Sequence, residues 1–237
     1  MGITVTLKKS HLVNDEGVRA RVYGLNPENF RKKTLAKDSD PESKPAFRSD
    51  GCNFLIPKGC PAEQMIIDAV EAAANEKLGD KAAGWIRKNV GEGKATDNCA
   101  LRDAEERDEV GDDFVGHFQV NGKSYKRILI MTPSGAVVGE SPDEDEEGDE
   151  LPEEDRVYNG QHLGALKLEF WGYTKGKSGV ACNVLGWRGS DMDAEQMESS
   201  GGETASTDDL SMDDDEDDTS SKKPAKKPAP GKKPARK

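Results

Sequence analysis

One helical period interrupts a chain whose other apolar segments alternate or run short. After Cys60 the stretch PAEQMIIDAVEAAANEKLG sets Met65, Ile66, Ala69, Val70 and Ala73 at helical spacing. Glu63 lies near its start, with Lys77 just before Gly79 at its end, the charge order a helix dipole favours. KAAGWIRKN, residues 81–89, predicts a shorter second helix. Before the helix, GVRARVY (17–23) puts Val18, Ala20 and Val22 on one face of a strand and Arg19, Arg21 and Tyr23 on the other. NFLIPK (53–58) is a short apolar run that a proline stops. After the helix, DFVGHFQVNGK (113–123) turns Phe114, Phe118 and Val120 inward and ends at an Asn-Gly turn, with RILIM (127–131) as the expected hairpin partner. HLGALKLEFWGY (162–173) and VACNVLGW (180–187) keep period two on either side of the turn TKGKSG.

Strand, strand, helix, then hairpins, without repeating βα units, argues against a parallel sheet. The predicted fold is mainly β, an OB-fold-like β-barrel with one or two helices inserted between strands, although an α+β sandwich gives much the same pattern. Only 33% of the residues are hydrophobic and 34% are charged, so much of the chain lies outside this core. Residues 190–237 carry few large apolar side chains beyond Met192, Met197, Leu210 and Met212 and are expected to form a disordered C-terminal tail, acidic and then Lys/Pro/Ala-rich. Residues 1–189 form the domain, and 140–155 are read within it as a self-repelling, solvated acidic loop.

The formal charge of −12 is unevenly placed. Outside the acidic loop, residues 1–189 hold 26 basic against 22 acidic side chains, so the foldable part is mildly basic and can present a phosphate-binding face. The unbroken acidic block 213–218 is followed by a segment, 222–237, whose charges are all positive.

The face opposite the apolar stripes joins cations to aromatics, the combination a single strand of nucleic acid requires for its phosphates and unstacked bases. Arg19, Arg21 and Tyr23 supply it in one strand, and Lys167, Trp171 and Tyr173 in another. Lys175, Lys177 and Arg188 extend the second track, and Lys123, Lys126 and Arg127 surround Tyr125 at the predicted hairpin. The competing reading buries Trp171 or Tyr173 under the long loop or the short second helix and leaves the strand arginines as a solvated face. Trp187 and Phe54 are expected in the core, with Trp85 anchoring the second helix.

Catalytic signatures are weaker. Gly176-KSG lacks the glycine spacing of a phosphate loop, and neither GxSxG nor HExxH occurs. Asp103, Glu105, Glu106, Asp108 and Glu109 could hold a divalent metal as in a nuclease, but interleaved Arg102 and Arg107 favour a solvated loop. Cys52, Cys60, Cys99 and Cys182 show neither CxxC pairing nor zinc-finger spacing; free thiols in a reducing cytoplasm are expected, with no metal site and no cofactor. The N-terminal MGITVTLKKSHL lacks the apolar core of a signal peptide, and no membrane partner is expected.

Three segments, GCNFLIPK before the helix, LRDAEERDEVGDDFVGHFQV, and VYNGQHLGALKLEFWGYTKGKSGVACNVLGW, together resemble a family of bacteriophage single-stranded-DNA-binding proteins with an OB fold, of the kind encoded in phage replication modules. The resemblance covers roughly residues 15–190. It rests most on LIPK at 55–58, the acidic approach to Phe114, and Tyr158-x-Gly160 leading into the Trp171 strand. It implies a non-enzymatic protein of the cytoplasm, that of the host if phage-encoded. Such a protein coats and protects single-stranded DNA, tolerant of sequence, in replication, recombination or repair. Relatives of this kind end in an acidic tail that recruits replication or recombination proteins; here a Lys/Pro/Ala segment without an aromatic follows the acidic block. Homodimer or other oligomeric state is left open. The alternatives are a scaffold or chaperone-like acidic interaction protein and, third, a metal-dependent nuclease.

Overall fold

The structure, a computed structural model, describes residues 2–23, 53–106, 112–122, 128–139, 141, 143–158 and 160–190. In chain order the described strands and helices are β1 (Ile3–Leu7), β2 (Arg21–Tyr23), β3 (Asn53–Pro57), α1 (Pro61–Leu78), α2 (Ala82–Asn89), β4 (Leu101–Asp103), β5 (His117–Asn121), β6 (Leu129–Met131), β7 (Leu163–Tyr173) and β8 (Gly179–Gly189). They form two four-stranded sheets, ordered β1-β7-β8-β6 and β2-β3-β5-β4. The alternating stripes face inward: Val22, Phe54, Ile56, Phe118, Val120, Leu166, Leu168, Phe170, Val180, Val184 and Trp187 belong to one core.

Backbone bridges join the sheets on both sides. Arg21 pairs with His162 just ahead of β7, backed by Val22 N–H to the Gln161 carbonyl and Leu163 N–H to the Ala20 carbonyl, each at 2.9 Å. On the far side Cys99 and Gly122 bridge to Val180 and Cys182 of β8. The two sheets thus close on themselves as a partly open barrel, and the mainly β, OB-like class with helices between strands holds.

α1 begins where expected: Pro61 occupies its first turn, where a missing N–H costs nothing, and Glu63 accepts from the Gly59 N–H at 2.6 Å. Ile66, Ala69, Val70, Ala73 and Ala74 form its buried stripe. The helix lies so close to β7 that a Cβ at Gly172 would fall on the Lys77 Cβ and the Ala73 carbonyl oxygen.

Four expectations need correction. β5 does not form a hairpin with β6; it pairs with β3 and β4, whereas β6 runs parallel to β8 in the other sheet. Ile128, Ile130 and Met131 are all buried, and a strand covered on both faces carries no alternation from which to read its partner. Phe114 stands in a 3-10 turn, Asp112–Phe114, ahead of β5. Val18 is 39% exposed, because the Asn14 side chain accepts from the Glu16 and Val18 amides and holds a turn there, so the strand starts only at Arg21. The described part of the acidic loop has local structure, although most of its acidic side chains are exposed as expected. Val138 bridges Asp145 and Glu144 bridges Glu150, Leu151 is buried, and Asp155 accepts from the Ser134 N–H at 3.1 Å and its hydroxyl at 2.6 Å. Those local hydrogen bonds offset the self-repulsion. The expected disordered tail, 190–237, lies outside the described residues apart from Ser190.

Candidate nucleic-acid interface

The β7–β8 hairpin presents an exposed tryptophan. Leu166, Leu168 and Phe170 are buried, while Lys167 and Glu169 are half-buried and Trp171 is 37% exposed. Tyr173 follows on the same face, its ring 5.8 Å from that of Trp171 at an interplanar angle of 57°. Lys175 and Lys177 are exposed on the turn that follows. Trp171 also lines a cavity of about 470 Å³ with Gly2, Glu169 and Asn183, closed from the α1 side by Glu76 and Lys77. Asn183 donates to Glu169 at 2.8 Å, which fixes the floor. The site offers a ring for stacking, an ammonium for a phosphate, and an amide and carboxylates for the edge of a base.

The β2 cluster is elsewhere. Arg21 is bridged to His162, at the opposite end of β7 from Trp171, so the two clusters are separated by roughly 30 Å at about 3.3 Å per strand residue. The sequence-predicted faces are therefore two sites joined by the hairpin, with Lys167 between them. Arg19 turns toward the barrel's seam, donating to the Ser190 hydroxyl at 3.2 Å. Arg21 meets Asp113, and Tyr23 meets Phe114 edge-on at 4.8 Å.

Arg188 is not part of an exposed track. It is 1% exposed and donates to the Pro133 carbonyl at 2.9 Å, beneath the segment that runs from β6 into the acidic loop. Lys123, Tyr125, Lys126 and Arg127 lie outside the described residues.

The 103–109 carboxylates also change character. Asp103 is 2% exposed, paired with Lys58 at 3.1 Å, and accepts from the Gly93 amide at 2.8 Å. Burial alone would raise the Asp103 carboxyl, but the amide bonds from Gly93 and Glu105 and the Lys58 ammonium outweigh it and hold it below the ordinary range. Glu105 takes the same ammonium at 3.1 Å and the Gly116 amide at 2.7 Å, and is likewise held low, first by that amide and then by Lys58. Lys58, the last residue of the LIPK run, thus ties the end of β3 to the end of β4 and the 3-10 turn that follows it. Glu106 is exposed; Asp108 and Glu109 lie outside the described residues. Neither a metal cradle nor a solvated loop describes Asp103, and among the described residues no group of His, Cys, Asp and Glu is arranged to hold a metal ion.

The family described as Enterobacter phage Enc34, ssDNA-binding protein, matches residues 33–220. The chain belongs to this family. The Enc34 family match takes in β3 through β8, the Lys58 network, the Trp171 site and the acidic block 213–218; Arg19, Arg21 and Tyr23 precede it, and the basic segment 222–237 follows it. Among solved structures, the single-stranded DNA-binding protein from bacteriophage Enc34 in complex with ssDNA is 14% identical, over 74% of this chain and 85% of that one, at a TM-score of 0.43. A second structure of the Enc34 protein is 14% identical over 80% of this chain and 89% of its own, at 0.38. No curated protein matches the chain.

What sequence reasoning missed is the acidic turn at Asp113 and the helix-side wall at Glu76 and Lys77. The first was visible as the acidic run before Phe114; the second had no local signal, since it exists only where α1 meets β7.

Proposed function

We propose that this protein binds single-stranded DNA without catalysis, coating and protecting it during phage replication, recombination or repair in the host cytoplasm. The observation that carries the reading is Trp171: an exposed indole beside Tyr173 and two turn lysines, on the β7–β8 hairpin of a chain in the Enc34 ssDNA-binding family. Base stacking on such a ring is tolerant of sequence, because every base has a π-face, and Lys175 and Lys177 supply the phosphate contacts. Among the described residues no helix is long and apolar enough to cross a membrane. The acidic block 213–218 serves as a docking segment for replication or recombination proteins and as a competitor for the basic face.

Binding of labelled oligo-dT by the full chain, followed by anisotropy across a salt series, tests this. Affinity should fall steeply with salt as counterions are released. Trp171→Ala should weaken binding by about 1–3 kcal/mol while the far-UV spectrum is unchanged. Absence of binding at the lowest salt would overturn the reading.

A further inference from the structure

The β2 cluster is already occupied by the protein itself. Arg21 Nη1 lies 3.2 Å from Asp113 Oδ1, and Arg21 Nη2 donates to the Asp113 carbonyl oxygen at 2.6 Å. The Tyr23 ring receives the next residue, Phe114, edge to face, with centroids 4.8 Å apart and planes 83° apart. Consecutive residues thus place an anion on the guanidinium and an aromatic ring on the phenol. A phosphate would take the carboxylate's place on the guanidinium, and a base could stack on the phenol ring once Phe114 has left it.

The contact is built to open. The Asp113 side chain is 79% exposed, so the ion pair forgoes little when broken. The turn's far end is pinned: Gly116, at a φ of +73° that favours glycine, donates its amide to Glu105, which Lys58 holds. Asp112–Phe114 can therefore leave Arg21 and Tyr23 without releasing β5.

We infer that Asp113 and Phe114 are an intramolecular stand-in for a nucleotide at an Arg21–Tyr23 subsite, displaced when single-stranded DNA arrives. The inference rests on the single-stranded-DNA reading above and adds a regulated second subsite at the far end of β7 from Trp171. It has a distinctive salt signature. When a phosphate replaces Asp113 on Arg21, the freed carboxylate gathers a cation as the phosphate sheds one, so this contact adds little to the salt dependence. Removing the carboxylate restores the missing release.

The test compares the full chain with Asp113→Asn, binding labelled oligo-dT across a salt series. D113N should bind about two- to fivefold tighter at low salt. Its plot of log K against log salt should steepen by about 0.7, the increment for one single-strand phosphate. Phe114→Ala should tighten binding without changing the slope, and Arg21→Ala in the D113N background should abolish the gain. Normal wild-type binding with unchanged affinity and slope in D113N would overturn the stand-in, as would weaker binding by D113N, which would make Asp113 a support for Arg21. Failure of the wild-type chain to bind at any salt would instead overturn the single-stranded-DNA reading.

Discussion

Lys58 shows how one side chain can set the working range of the fold. Its ammonium faces a buried Asp103 and an exposed Glu105. Burial disfavours the Lys58 charge, but the two carboxylates more than offset this and raise its pKa, while both acids titrate below their usual range. A carboxyl with a depressed folded pKa contributes stability above its unfolded value, near 3.9 for Asp, and loses it as pH falls through the folded one. The raised Lys58 works the other way: its share is complete below about 10.4 and is lost only as pH rises through its folded value. His117 adds an earlier acid limb. Its burial holds the imidazole neutral, with Nδ1 at 2.8 Å from the Val115 carbonyl, so charging it below about 6.5 costs stability. Burial lowers His11 in the same direction, so denaturation across pH should give a neutral plateau, a shallow decline below about 6.5 that His117→Asn reduces, and a steeper one below about 4. Lys58→Met should cost about 2 kcal/mol at neutral pH, between the values of an exposed and a buried pair, by leaving the buried Asp103 charge with its amide donors but no cation; Asp103→Asn in the same chain should recover part of it.

Among the elements, the contact of α1 with β7 leaves the least room. Gly172 is the point at which the helix backbone meets the strand, so Gly172→Val must push Lys77 and Ala73 away. Overpacking of this kind costs about 1–3 kcal/mol, which chemical denaturation would read, and it should also disturb the Trp171 cavity that Lys77 walls. A variant as stable as the wild type would show that the helix can shift freely. α1 and the β7–β8 hairpin were legible in the sequence because each buries one face, and burial of one face writes a period of 3.6 or of two. β6 was misplaced because both its faces are covered. Arg188 was misread for a related reason: nothing near it in the sequence announces that Pro133 will lie over it. The Trp171 site was half legible, its strand side by alternation, whereas its helix side depends on packing between distant segments.

At the scale of the whole molecule the balance of charge is decisive. Twenty-six basic against 22 acidic side chains up to residue 189, the acidic loop aside, leave the barrel slightly basic, whereas the acidic block 213–218 is tethered to the same chain. A tethered anion competes at an effective concentration set by its linker, with no need for a folded contact. A chain ending at Ser190 should bind oligo-dT more tightly than the full one at low salt, the difference shrinking as salt screens both. Removing only residues 222–237 should weaken binding by exposing the unneutralised acidic block; tighter binding would show that the basic segment does not assist.

The pairing of Ile3 with Phe170 has a consequence for how the protein is made. β1 is made long before β7 and cannot pair until that strand has been produced, whereas β2 can pair with β3 early and only its bridge to His162 waits. Because these closures are non-local, β1 stays unpaired until β7 is made and barrel closure is slow. β1 can join its sheet only after the β7 segment exists, so the growing chain must keep that strand from self-association until then.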